Sequence, residues 1–141
     1  MFKSTDELAF ELANTPDIAD YMHNNQHQPD PQAFHALLGE LITASGLSKT
    51  KIATAACLSE PYLYNLIRGD KHPSRNKVLQ LAFGLGIDMA QTERLLQLAG
   101  HNAFYTRNKR DALVQYALGQ CMNIHEADGL LMTYGFSMMT E

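Results

Sequence analysis

From Asp30 onward the chain is punctuated as a string of short helices, and this punctuation constrains its fold more than any other feature. Asp30-Pro31, Ser48, Ser59, Ser74 and Asp88 each precede a segment with helical apolar spacing, and Gly46, Gly69, Gly86 and Gly100 each follow one. Small polar side chains accept hydrogen bonds from the orphan amides of a first helical turn, while glycine takes the left-handed conformation that closes a last one. Asp88 with Gln91 has capping-box spacing. No alternating β-branched run and no hairpin signal competes with this pattern. The fold class it predicts is all-α.

The strongest segment runs from Pro31 to Ser45, with Phe34, Leu37, Leu38, Leu41 and Ile42 at helical spacing. Helices are expected from Ser48 to about Ala56, from Ser59 to just before Gly69, and from Ser74 to Gly86, the last carrying Val78, Leu79, Leu81, Ala82 and Leu85. Leu95, Leu96 and Leu98 mark another before Gly100, and two more are expected at about 108–120 and 124–134. Before Asp30, Ser4 with Glu7 and Thr15-Pro16 each start a short amphipathic segment, and Asn24 to Pro29 reads as a polar linker. The expected organisation is an amino-terminal helical arm and linker (1–29), a core (30–99) and a carboxy-terminal helical extension (100–141).

The net charge of −4 looks unfavourable for a nucleic-acid ligand until it is divided along the chain. Residues 1–45 carry Lys3 against seven acids, and residues 78–141 carry four bases against six. Between them, Lys49, Lys51, Arg68, Lys71, Arg75 and Lys77 face only Glu60 and Asp70, so the positive charge is concentrated in 46–77. Affinity for phosphates follows the local field rather than the total. The same pattern also suits an ordinary solvated basic face.

Segment 46–77 also holds the most specific spacing. Two short helices are joined by about three residues, Cys57-Leu58-Ser59, the connection length of a helix-turn-helix. In the first, Ile52 and the small Ala53 face inward. In the second, Leu63, Leu66 and Ile67 form a buried stripe, and the opposite face holds Pro61, Asn65 and Arg68, flanked by Tyr62 and Tyr64.

Gly46-Leu47-Ser48, Ala53, Ser59, Tyr62-Leu63, Arg68-Gly69, Lys71 and Pro73-Ser74 occur collinearly without a gap. This set resembles the Cro and lambda-repressor superfamily, the xenobiotic-response-element type of helix-turn-helix, over Phe34 to Ile87. Asn108-Lys109-Arg110-Asp111 is more loosely similar to a segment in the helical extensions of longer bacterial regulators. The first resemblance implies a five-helix repressor-like core that binds double-stranded DNA, with a recognition helix at about 60–68 in the major groove. It implies that Lys49 meets a phosphate near a helix terminus. Ser59 caps the recognition helix. Asn65 reads adenine through its amide, Arg68 reaches guanine or the backbone, and Lys71 meets a phosphate. Tyr62 and Tyr64 offer a hydroxyl to phosphate or a ring to a thymine methyl, though Tyr62 suits packing better.

Glu60 and Pro61 depart from that pattern, at positions where such proteins usually make early base contacts. Glu60 repels phosphates but can accept from cytosine N4. Pro61 fits a first helical turn and offers no donor. These two residues and the acidic amino-terminal segment keep open a second expectation, a protein-interaction module of antitoxin or adaptor type that does not read DNA.

Other chemistry has little support in the sequence. His23 and His27 lie four apart, but no cysteine or carboxylate completes a metal site nearby. His72 is a weak DNA-facing donor or an exposed turn residue, and His35, His101 and His125 are isolated. Cys57 and Cys121 have no partner spacing and lie among apolar neighbours, which predicts small buried thiols rather than a disulfide. Met132, Met138 and Met139 read as core filler or a helix-packing surface. Arg107, Lys109 and Arg110 form a basic cluster that suits a helix-start surface or a partner contact. There is no glycine-rich phosphate loop, nucleophile elbow or supported carboxylate pair, so no enzyme and no cofactor are expected. The full expectation is a cytoplasmic, bacterial or phage DNA-binding transcription regulator. It is expected to dimerise through residues 100–141, with a protein partner as an additional possibility.

Overall fold

The computed structural model describes residues 29–141. The two expected amino-terminal helices, the polar linker up to Gln28 and the His23/His27 pair lie outside the described residues. Those described contain seven helices and no strand, so this part of the protein is all-α. The helices are α1 (Pro31–Ser45), α2 (Lys49–Ala56), α3 (Glu60–Arg68), α4 (Arg75–Leu85), α5 (Met89–Leu98), α6 (Lys109–Gly119) and α7 (Ile124–Thr133).

Each helix begins at a polar cap. Asp30, Ser48, Ser59, Ser74, Asp88, Asn108 and Asn123 all accept from an amide of the first turn through their side chains. Full capping boxes form at Asp88–Gln91 and Asn123–Glu126. Each such cap is worth about 1 kcal/mol, which matters for helices as short as α2 and α3, marginal on their own. Gly46, Gly69 and Gly86 close α1, α3 and α4 in the left-handed region. Helix α2 closes differently, because Cys57 itself adopts φ 55°.

One apolar cluster runs through all seven helices. Leu38, Ile52, Leu63, Leu79, Leu81, Leu95 and Leu96 are fully enclosed, and Val114, Ala117, Ile124, Ala127, Leu131 and Met139 continue the cluster into α6, α7 and the tail. Helix α4 is the central element, buried from Val78 to Leu85. It packs most extensively against α2, and also against α5, α1 and α7, while α6 and α7 pair with each other. At the α2–α4 crossing Gly84 lies beneath Ala56 and the carbonyl of Ile52. Ala53 is buried nearby, and the contact with Gly84 falls one turn after it, at Ala56.

Three polar side chains are buried among the described residues: Gln80, Thr92 and Asp128. The Thr92 hydroxyl donates to the Asp88 carbonyl. Gln80 Nε2 donates to the carbonyls of Ala56 (3.0 Å) and Cys57 (3.3 Å), satisfying orphan acceptors at the end of α2. Its Oε1 is enclosed without a partner.

The tail after α7 is fastened down. The amide of Met139 and the hydroxyl of Thr140 donate to the Asp128 carboxylate at 2.8 and 2.7 Å, and Arg110 donates to the Ser137 carbonyl. Of the methionines read as filler or packing surface, Met139 is enclosed, Met138 half-buried and Met132 exposed. Both cysteines are free, but the expectation that both are buried is not met: Cys57 is half-buried and Cys121 exposed. Cys121 lies in the turn after α6 at φ 55°, while its neighbours Leu118 and Met122 are partly buried against the core.

Candidate nucleic-acid interface

Helices α2 and α3 are joined by Cys57, Leu58 and Ser59. The amide of Leu58 donates to the Ala53 carbonyl (2.9 Å) and its side chain is buried, so the turn is anchored at its middle residue. Ser59 then caps α3 through the amide of Tyr62 at 3.2 Å. Leu63 and Leu66 bury the rear of α3, with Ile67 half-buried beside them. The front carries Pro61, Tyr64 and Arg68 in the open and Asn65 half-buried.

Lys49 and Lys51 on α2 and Lys71 after α3 are exposed. The Lys49 ammonium lies 5.4 Å from the centre of the Tyr64 ring, which sets α2's first residue beside the middle of α3. Tyr62 has a different environment. It packs against the core, burial pushes its phenol pKa up, and Lys77 sits 5.9 Å from its ring centre. Its ring takes the packing position expected for it.

Glu60 occupies the first turn of α3, where a carboxylate complements the helix dipole. It also accepts a hydrogen bond from the Thr50 hydroxyl, linking α3 to α2. The carboxylate expected either to repel phosphate or to accept from cytosine N4 is thus also engaged with α2.

Asn65, Arg68 and Asp70 form a chain. The guanidinium of Arg68 donates through Nη2 to Asn65 Oδ1 and through Nε to Asp70 Oδ2, the latter at 3.0 Å. By sequence Asp70 is only an opposing charge within the basic segment. Its spacing of two from Arg68 across Gly69 was the available signal.

Arg75, which belongs to the basic segment by sequence, faces elsewhere. It pairs with Asp111 at 3.1 Å, donates to the Asn102 carbonyl and lies 5.8 Å from the Phe104 ring centre. Asp111 also accepts from the amide of Tyr105, and Asn108 caps α6 through the amide of Asp111. The Asn108–Asp111 segment therefore joins the extension to the start of α4. His101 adds a contact from its Nε2 to the Pro73 carbonyl at 2.9 Å. Its ring stacks at 6.0 Å on His72, whose pKa is lowered by partial burial and by His101.

Among the described residues no group of three His, Cys, Asp or Glu side chains is placed to hold a metal. No helix among them is long and apolar enough to cross a membrane. No protein-family model, curated protein or solved structure matches the chain.

Proposed function

We propose that this protein is a sequence-specific DNA-binding transcription regulator, with α1–α5 as a repressor-like helix-turn-helix core and α3 as its recognition helix. The observation that carries this reading is the two-sided character of α3. Its rear is sealed by Leu63 and Leu66, while its front exposes Tyr64, with Lys49 beside it, and Arg68, and Lys51 and Lys71 are exposed on the neighbouring segments. A buried rear fixes the helix, and the exposed cations supply the phosphate contacts that hold it in register on a duplex. Arg75 is engaged with Asp111, so the phosphate-facing set is Lys49, Lys51 and Lys71 rather than the whole basic segment.

The extension supplies the surface for a second copy. Tyr116, Met132 and Tyr134 are large side chains left exposed on or beside α6 and α7. A two-fold dimer would present two α3 helices to half-sites about one duplex turn apart, near 34 Å.

A salt titration of binding to duplex DNA tests the reading. The logarithm of affinity falls against that of salt by about 0.9 for each phosphate contact, and Lys71→Ala reduces that slope by about 1. No binding to any duplex at low salt, with Asn65→Ala and Arg68→Ala both silent, overturns it. That outcome would favour a protein-docking use of the same face, to which Glu60 and Pro61 at the start of α3 are suited.

A further inference from the structure

Resting on the DNA-binding reading above, we infer that α3 specifies guanine, not adenine, at the base pair it faces through Asn65 and Arg68, and that Asp70 is the positioning residue for this choice. Adenine is read by an Asn side chain that donates to N7 and accepts from N6 at once, so the amide oxygen must be turned to the base. Here Asn65 Oδ1 is turned to the Arg68 guanidinium. The amide then has only its NH2 group to offer outward.

Arg68 is constrained in the complementary way. Asp70 holds Nε, and Asn65 takes one hydrogen of Nη2. A guanidinium has five N–H donors, so three remain outside these two contacts. Asn65 Oδ1 keeps a second lone pair, but it is held at the guanidinium, so the groups free to turn outward are the amide NH2 and the remaining guanidinium N–H groups, all donors. Guanine shows two acceptors, O6 and N7, to the major groove, whereas adenine shows one acceptor and one donor. An outward donor of this pair would meet the adenine N6 hydrogens without a complementary acceptor.

Asp70 lies beyond the end of α3, and its backbone amide is engaged with the Asn65 carbonyl at 2.9 Å. Its carboxylate is thus fixed close to the guanidinium by the chain itself. In the free protein this ion pair is exposed, with about 60% of each side chain open, and is weak. Closure of a duplex over it removes water and strengthens it.

The test is selection from a random duplex pool with the full chain, followed by affinity measurements on single-base variants of the selected site. The faced base pair is the one at which Arg68→Ala loses preference. There the wild type is expected to prefer guanine over adenine by roughly five- to a hundredfold. Asp70→Ala is expected to shrink that ratio severalfold while binding to non-specific duplex stays equal or rises, since a negative charge has been removed. A residue that merely stabilised the fold would lower all affinities together, and an unchanged melting temperature confirms that it does not. Adenine preference in the wild type, or an Asp70→Ala variant with the ratio intact, overturns the inference but leaves DNA binding standing. A chain that binds no duplex overturns both.

Discussion

Gly84 and Ala56 meet so closely that a Cβ on the glycine would lie 2.6 Å from the alanine methyl and 2.9 Å from the Ile52 carbonyl oxygen. Two of the three nearest obstacles are backbone atoms of α2, which no rotamer change can move. Gly84→Ala is expected to destabilise by about 1–3 kcal/mol through overpacking, lowering Tm by several degrees. Gly39→Ala in α1 is the control: nothing lies within 4 Å of its Cβ position, so removing a mid-helix glycine should stabilise by about 0.5–1 kcal/mol. Thermal and urea unfolding of both variants checks the pair. Equal effects would show that α2 and α4 are not in close contact at this point.

Gln80 donates two hydrogen bonds to the last carbonyls of α2, and its own oxygen has no partner. Gln80→Leu keeps most of the volume and leaves those carbonyls unsatisfied, at a cost of about 1–3 kcal/mol. Gln80→Glu is expected to be worse at neutral pH, because a carboxylate would face two carbonyl oxygens. It should recover part of its stability in acid, when a protonated side chain can donate. Urea midpoints at pH 7 and in mild acid separate the two variants.

Asp128 is the anchor of the tail. Asp128→Ala removes the acceptor for Met139 and Thr140 and is expected to cost about 1–3 kcal/mol. The amide of Met139 should then lose hydrogen-exchange protection before the amides of α4 do. Retained protection at Met139 would mean that burial of its side chain suffices to hold the tail.

His72 has a lowered pKa in the folded chain. The neutral form is therefore favoured by folding. Its contribution to stability is fully present above the unfolded value of about 6.5, and is lost as pH falls through the lower folded value. Replacing it as His72→Gln should flatten the decline in Tm between about pH 7 and pH 5 relative to wild type. Parallel Tm curves for the two proteins would remove His72 from the pH response.

The helix boundaries were legible because caps are local. Asp30, Ser48, Ser59, Ser74 and Asp88 act within three residues of themselves, and each starts a helix where its spacing predicts. The two-sided character of α3 was legible for the same reason, since Leu63 and Leu66 face opposite to Pro61 and Arg68 on any helix. Pairings across the fold were not. Nothing in the periodicity of α4 singles out Gln80 as a donor to α2, or Gly84 as the crossing point. Arg75 reads as one more base beside Lys71 and Lys77 until Asp111, thirty-six positions away, is brought to it. Cys121 was misplaced because apolar neighbours imply burial only while the helix continues, and α6 ends at Gly119.

The bridge between Arg75 and Asp111 has a mechanical consequence. Arg75 is the first residue of α4, immediately after Pro73-Ser74, and Asp111 lies in the first turn of α6. His101 grips Pro73 at the same joint. The segment that leaves α3 is thus tied at its far end to the first turn of α6 through Arg75 and to the residues just after α5 through His101. The carboxy-terminal helices and the segment leading out of α3 therefore share one set of anchors.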